Sequence, residues 1–117
     1  MFDIDFYQLS NGEKPVEKFI DNLDEKMQLK ALASIEILAE YGNNIRKPHS
    51  KSLGKGLFEL RIRFANDITR IFYFFVANNR IILTNGFIKK SQKIPLNEII
   101  LARKYKADFE RRFGKNE

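Results

Sequence analysis

The most constraining feature of the sequence is a run of three β-strand patterns in the second half of the chain. In residues 57–64 apolar and charged side chains alternate, so that one face of this strand is apolar and the other is charged. Residues 68–76 are almost continuously β-branched or aromatic, which is typical of a central strand covered on both faces. Asn78-Asn79 lies between this strand and the next one, residues 80–88, and suits a two-residue hairpin turn because Asn tolerates positive φ. Short turns between consecutive strands predict an antiparallel meander.

The remaining elements are predicted from their start and stop signals. An alternating N-terminus predicts a first strand, Pro15 suits the first turn of a helix, and Asp24 is a candidate N-cap for a second helix that ends at Gly42. Residues 45–56 are polar and basic and predict a loop, and a last helix begins after Pro95. The apolar face of the second helix comprises Met27, Ala31, Ile35 and Leu38, flanked by Leu32 and Ala39.

The predicted element order is β-α-α-β-β-β-α, an α+β fold in a single domain over residues 1–117. We expect a small antiparallel sheet with the N-terminal strand at its edge. The helical hairpin covers one face of this sheet, the other face is partly open, and a C-terminal helix completes the domain.

Charge is distributed unevenly along the chain. The net charge is +6, but residues 1–45 carry four Lys against nine acidic residues, a net of −5, and the remainder carries 17 basic and six acidic residues, a net of +11. Such segregation favours a basic face that binds a polyanion such as nucleic acid. The alternative is that the basic residues only keep a small protein in solution.

Several classes of site are excluded or disfavoured by residue content. The chain has no Cys and one His, so thiolate-ligated metal sites are excluded and sites built from several His are nearly excluded. There is no P-loop, no GxGxxG and no carboxylate cluster with metal-ligand spacing, and we expect no metal and no cofactor. We find neither a signal peptide nor a membrane span in the sequence and expect a cytoplasmic protein.

Basic residues on and after the predicted strands are the candidate ligand-binding groups. Arg70 is the one charged residue in residues 68–76, where a guanidinium needs solvent, a carboxylate or a phosphate. The alternative for Arg70 is a salt bridge to Glu59 on the neighbouring strand. His49 could transfer protons near neutral pH, or it could be an ordinary surface residue. The other candidates are Arg61 and Arg63 on the polar strand face, Lys89, Lys90 and Lys93 after the last strand, and Lys51 and Lys55 in the loop.

Three segments of the sequence resemble a known family. They are L-F-E-L-R-I-R-F, D-I-T-R-I-F-Y-F-F and I-I-L-T-N-G-F-I-K-K-S-Q-K-I-P. With the helix that follows, they resemble the phage-derived, HigB-like branch of the RelE/ParE toxin superfamily. The resemblance implies a type II toxin–antitoxin toxin that is a ribosome-dependent mRNA endonuclease (mRNA interferase). It also implies, as partners, the ribosome, mRNA and a helix-turn-helix, HigA-like antitoxin in a toxin–antitoxin hetero-oligomer.

The resemblance also implies roles for individual residues. Arg61, Arg70, and Lys89 or Lys90 fall where relatives place catalytic cations. Arg63, Lys93, His49, Lys51 and Lys55 are expected to bind RNA. Glu59 departs from the relatives that have Lys there, and no Tyr or His follows the last strand closely. A ParE-like gyrase inhibitor without nuclease activity and a non-catalytic basic RNA-binding module therefore stay open as alternatives.

Overall fold

Five β-strands form one mixed sheet in the computed structural model, which describes residues 1–89 and 95–114. The strands are β1 (Asp3–Phe6), β2 (Ser50–Gly54), β3 (Leu57–Phe64), β4 (Asp67–Val76) and β5 (Arg80–Lys89). Their order across the sheet is β1-β5-β4-β3-β2. The strands from β2 to β5 pair antiparallel, whereas β1 pairs with β5 in parallel. The predicted site residues Lys90 and Lys93 lie outside the described residues.

Three α-helices flank the sheet: α1 (Pro15–Asp21), α2 (Glu25–Tyr41) and α3 (Leu96–Phe113). The Asp24 carboxylate accepts a hydrogen bond from the Met27 backbone N–H at 2.8 Å, so Asp24 is the N-cap of α2 as predicted. α2 ends at Gly42, which has a φ of 54° and begins a short 3₁₀ turn, Gly42–Asn44. The Phe2 ring occupies the space where a Cβ at position 42 would stand, which explains why Gly is needed there.

Each face of the sheet has its own apolar layer. α1 and α2 pack on one face through a buried cluster that includes Val16, Leu38, Leu60 and Tyr73. α3 packs on the other face through two smaller clusters. These clusters contain Leu57, Phe72, Phe87 and Ala102 in one and Tyr7, Phe74, Ile82 and Phe109 in the other.

The predicted α+β class is confirmed, and the structure adds a strand to the predicted order. The prediction of a loop over residues 45–56 is wrong for residues 50–54, which form the edge strand β2. Leu53 is the one large apolar residue of β2, so its hydrophobic pattern is weak. β2 is held instead by backbone pairing with β3 and by a hydrogen bond between the hydroxyls of Ser50 and Tyr73.

Three finer predictions are also corrected. The sheet is mixed and not wholly antiparallel, because alternation in a four-residue strand identifies its inner face but not the direction of pairing. The hairpin turn holds three residues, 77–79, since Val76 pairs with Arg80, although Asn78 and Asn79 have the expected positive φ. Leu32 is 46% exposed and does not flank the buried face of α2.

α3 is attached to the N-terminal end of the chain by a hydrogen bond between two side chains. The buried Tyr7 hydroxyl donates to the Asp108 carboxylate at 2.5 Å, and Tyr7 stacks on Tyr105 with ring centroids 4.5 Å apart. Burial, and then the Asp108 bond, raise the pKa of Tyr7 from 10.0 to about 12. The same bond, together with Arg112 and Arg111, holds the pKa of Asp108 below its usual value.

We predict that Tyr7 contributes stability that is lost at alkaline pH. The unfolded chain ionises this phenol near pH 10.0 and the folded chain near 12, so the contribution is complete below pH 10.0 and disappears as the pH rises through 12. Tyr7→Phe removes a hydrogen bond to a charged acceptor, worth about 1.5–3 kcal/mol of unfolding free energy at neutral pH. Urea unfolding at several pH values should show a smaller alkaline loss in Tyr7→Phe than in the wild type. Equal alkaline losses in the two proteins would contradict this role.

Candidate functional site

The predicted cations converge on a cavity of about 350 Å³ at the edge of the sheet. Its wall includes Arg61, Arg63 and Arg70 from the strands, His49 from the segment before β2, and Lys30 from α2. β2 pairs with β3 only as far as Leu60, and the His49 carbonyl then accepts a hydrogen bond from the Arg61 backbone N–H at 2.8 Å. The end of β3 therefore lacks a neighbouring strand on this side, and the cavity lies between this end and α2.

One buried carboxylate organises two of the arginines. Arg61 and Arg70 face each other in the register of β3 and β4, an arrangement of like charges that is unfavourable by itself. The fully buried Glu59 resolves it, because its Oε2 accepts a hydrogen bond from Arg61 Nε at 2.9 Å and another from Arg70. The salt bridge between Arg70 and Glu59, the alternative to a phosphate-binding role for Arg70, is confirmed.

The three arginines differ in how far a ligand can reach them. The side chain of Arg70 is 4% exposed and that of Arg61 is 31% exposed, whereas Arg63 is an exposed residue. Within the described residues, Glu59 Oε1 and Arg70 Nε are buried without a hydrogen-bond partner. Arg61 and Arg63 can therefore receive an anion directly, whereas little of the Arg70 side chain is open to a ligand.

Lys89 lies on the same side of the sheet edge as these arginines. Lys89, Ile68 and Arg63 are paired in register across β5, β4 and β3, and Ile68 lines the cavity. Two strand spacings separate Lys89 from Arg63, which is about 10 Å. Lys89 is half-buried and extends the basic surface away from the cavity.

Lys51 and Lys55 are not part of the cavity wall. Lys51 lies in β2, and Lys55 lies in the turn between β2 and β3 with a φ of 54°. His49 is exposed at the cavity, as a ligand-binding residue requires. The structure thus brings together Arg61, Arg63, Arg70 and His49 and leaves the two lysines outside.

Sequence reasoning missed the helical side of the cavity. Lys30, Ser34 and Ile37 line it from α2, whereas the sequence pattern predicts only an apolar face for this helix. The available signal was an apolar residue, Ile37, outside the predicted buried stripe. Its position beside β3 depends on how α2 crosses the sheet, which helical periodicity does not encode.

Other kinds of site find less support in the described part of the chain. Residues 1–89 and 95–114 contain no group of three or more His, Cys, Asp or Glu side chains that could hold a metal ion. None of the helices described there is long and apolar enough to cross a membrane.

Comparison with known families gives one match, over residues 18–107, to the family described as phage derived protein Gp49-like (DUF891). The chain belongs to this Gp49-like family. The family is associated with RelE-like toxins, which confirms the resemblance at this level but not its HigB-specific part. All residues of the cavity fall within the matched range of the Gp49-like family, whereas Tyr7 and Asp108 fall outside it. Comparison with curated proteins gives no match.

We predict that Glu59 is the residue of the site on which stability depends most. Glu59→Ala leaves Arg70 buried and unpaired, so the free energy of unfolding should fall by about 3–5 kcal/mol. The double variant Glu59→Leu with Arg70→Met removes both buried charges and should recover most of that loss. Urea unfolding of the two variants and the wild type measures both effects. A double variant less stable than Glu59→Ala would contradict this account of the pair.

Proposed function

We propose that the protein is the toxin of a type II toxin–antitoxin system and acts as a ribosome-dependent mRNA endonuclease of the HigB-like kind. The observation that carries the proposal is the cavity, where Arg61, Arg63 and His49 are accessible side by side in a chain of the Gp49-like family. A HigA-like, helix-turn-helix antitoxin is the proposed neutralising partner. The proposed place of action is the ribosome in the cytoplasm.

The accessible cations suit cleavage of RNA by its own 2′-hydroxyl. In this reaction the 2′-oxygen forms a bond to the adjacent phosphorus, its proton passes to water, and the bond from phosphorus to the 5′-oxygen breaks. The phosphorane formed on the way carries extra negative charge, which a fixed guanidinium stabilises. Arg61 has this role in the proposal, since Glu59 holds its Nε while part of its side chain reaches the cavity.

The other groups have supporting roles in the proposal. The His49 imidazole lies at the cavity and can donate a proton to the departing 5′-oxygen, leaving a 2′,3′-cyclic phosphate. Arg63 and Lys89 bind flanking phosphates, because both lie along the same side of the sheet. Arg70 supports Arg61 from below by sharing the Glu59 oxygen.

The burial of Arg70 favours a second candidate. The resemblance places a phosphate-contacting arginine at this position, yet Arg70 is 4% exposed and paired with Glu59. A ParE-like gyrase inhibitor without nuclease activity needs no accessible arginine there. A basic RNA-binding module, the third candidate, needs the cations but no proton-transfer group.

We predict that Arg61→Ala and His49→Gln abolish toxicity and RNA cleavage while leaving the fold intact. Loss of one donor that stabilises the transition state typically costs about 10²–10³-fold in rate. Lys104→Ala is the matched control, because Lys104 is an exposed cation on α3 outside the cavity. Growth after induction and mapping of mRNA 5′ ends measure the two effects, and circular dichroism checks the fold.

The same experiment separates the candidate functions. New mRNA 5′ ends with the wild type and their loss in both cavity variants support the nuclease. Growth arrest with intact transcripts and an SOS response would replace it with the gyrase inhibitor. Binding of RNA with neither toxicity nor cleavage would leave the RNA-binding module.

A further inference from the structure

α2 has a second apolar stripe on the face opposite the core. Leu29 is 63% exposed, and Ala33 on the same side is also exposed. Ile37 is half-buried on this side of the helix and lines the cavity. An exposed stripe of this kind on a helix is typical of a surface that a partner covers.

The residues of this face are arranged symmetrically about Ala33. We define this face as the residues within two turns of Ala33 that point within about 60° of its direction, at 3.6 residues per turn. Before Ala33 the face has two basic residues and one apolar residue, and after Ala33 it has two acidic residues and one apolar residue. These are Lys26, Leu29 and Lys30, then Glu36, Ile37 and Glu40. Among the salt bridges of the described residues, none involves these four charged side chains.

We propose that this face binds the same face of a second copy of the chain, with the two α2 helices antiparallel and a two-fold axis through Ala33. In that arrangement residues equally far on either side of Ala33 come to the same height along the pair of helices, so that Lys30 is level with Glu36 of the second copy and Leu29 is level with its Ile37. Lys26 is level with Glu40 in the same way. Ala33 meets its own copy, and its small side chain lets the helices approach closely. A parallel pairing in register would place like charges together, so the charge pattern selects the antiparallel dimer.

The proposed dimer interface overlaps the rim of the basic cavity. Lys30, Ala33 and Ile37 belong to both surfaces, so the second copy lies across the cavity on the α2 side. The second copy also brings a carboxylate, its Glu36, to the height of Lys30, and this negative charge near the cavity rim disfavours an anionic ligand. Self-association and RNA binding therefore compete. By thermodynamic linkage, RNA lowers the affinity of the dimer by the same factor by which dimerisation lowers the affinity for RNA. This regulatory part rests on the proposed function, whereas the dimer itself does not.

Cross-linking through a single thiol tests the two-fold axis. The chain has no Cys, so Ala33→Cys introduces its only thiol. Helices 9–10 Å apart bring facing Cα atoms to about 4–5 Å, within the range of a disulfide. Mild oxidation should give a covalent dimer of Ala33→Cys in high yield. Ala107→Cys, on the exposed side of α3, is the matched control and should give little. Equal yields from the two variants would overturn the proposed axis.

A charge exchange tests the antiparallel register. Lys26 and Glu40 are fourteen residues apart on one helix, about 21 Å, and cannot pair within one chain. Lys26→Glu alone places two pairs of like charges in the dimer, and we expect its dissociation constant to rise about tenfold. Adding Glu40→Lys restores opposite charges and should recover the wild-type constant in sedimentation equilibrium. A monomeric wild type, or a double variant no better than Lys26→Glu, would overturn the proposal.

Binding of a single-stranded RNA oligonucleotide to oxidised and reduced Ala33→Cys tests the regulatory part. The reduced protein should bind in fluorescence anisotropy, and the disulfide-linked dimer should bind at least about tenfold more weakly. Equal binding by the two forms overturns the occlusion of the cavity. If neither form binds, the regulatory part fails, whereas the mRNA 5′ ends still decide the proposed ribosome-dependent function and the cross-linking yield still decides whether α2 pairs with its copy.

Discussion

The candidate site depends on one buried carboxylate between two arginines. Arg61 and Arg70 occupy facing positions on β3 and β4, where their repulsion would otherwise oppose the pairing of the two central strands. Glu59 accepts from both with a single oxygen, so the three groups together carry one positive charge beneath the cavity instead of two. The same contact fixes the orientation of the Arg61 side chain. An exposed arginine without such a contact samples many rotamers. Stability and the geometry of the site thus have a common origin.

The strand side and the helical side of the cavity differ in character. The basic half of the chain supplies the strands with their arginines, and α2, from the acidic half, supplies Lys30, Ser34 and Ile37. Glu36 and Glu40 of α2 are not part of the cavity wall and belong to the outer face of the helix. A ligand with phosphates fits the strand side of the cavity, and a partner with mixed charge fits the outer face of α2. The net charge of the whole chain conceals this division.

Patterns along the chain predict elements better than they predict how elements meet. The alternation in residues 57–64 correctly predicts the strand, because a strand with one apolar face imposes that period on its residues. The expectation that the charged face is open holds only at its end, since α3 covers the start of this face and Glu59 is fully buried there. β2 lacks such a pattern, since an edge strand can be held by backbone hydrogen bonds and few apolar contacts. The contribution of α2 to the cavity was missed for another reason. Lys30 and Ile37 become site residues only through the crossing of α2 over the sheet edge, which local sequence does not record.

The resemblance and the structure imply different roles for Arg70. The resemblance implies a phosphate-contacting arginine at the position of Arg70, and the structure shows that the same residue pairs with the buried Glu59. Burial disfavours direct contact with a polymer, because the side chain of Arg70 is 4% exposed. Arg61, two residues from Glu59 on the same strand, shares that partner and retains access to the cavity. Within the ion cluster, accessibility therefore favours Arg61 as the ligand-binding cation of the proposed function, and Arg70 shares the Glu59 oxygen that holds Arg61.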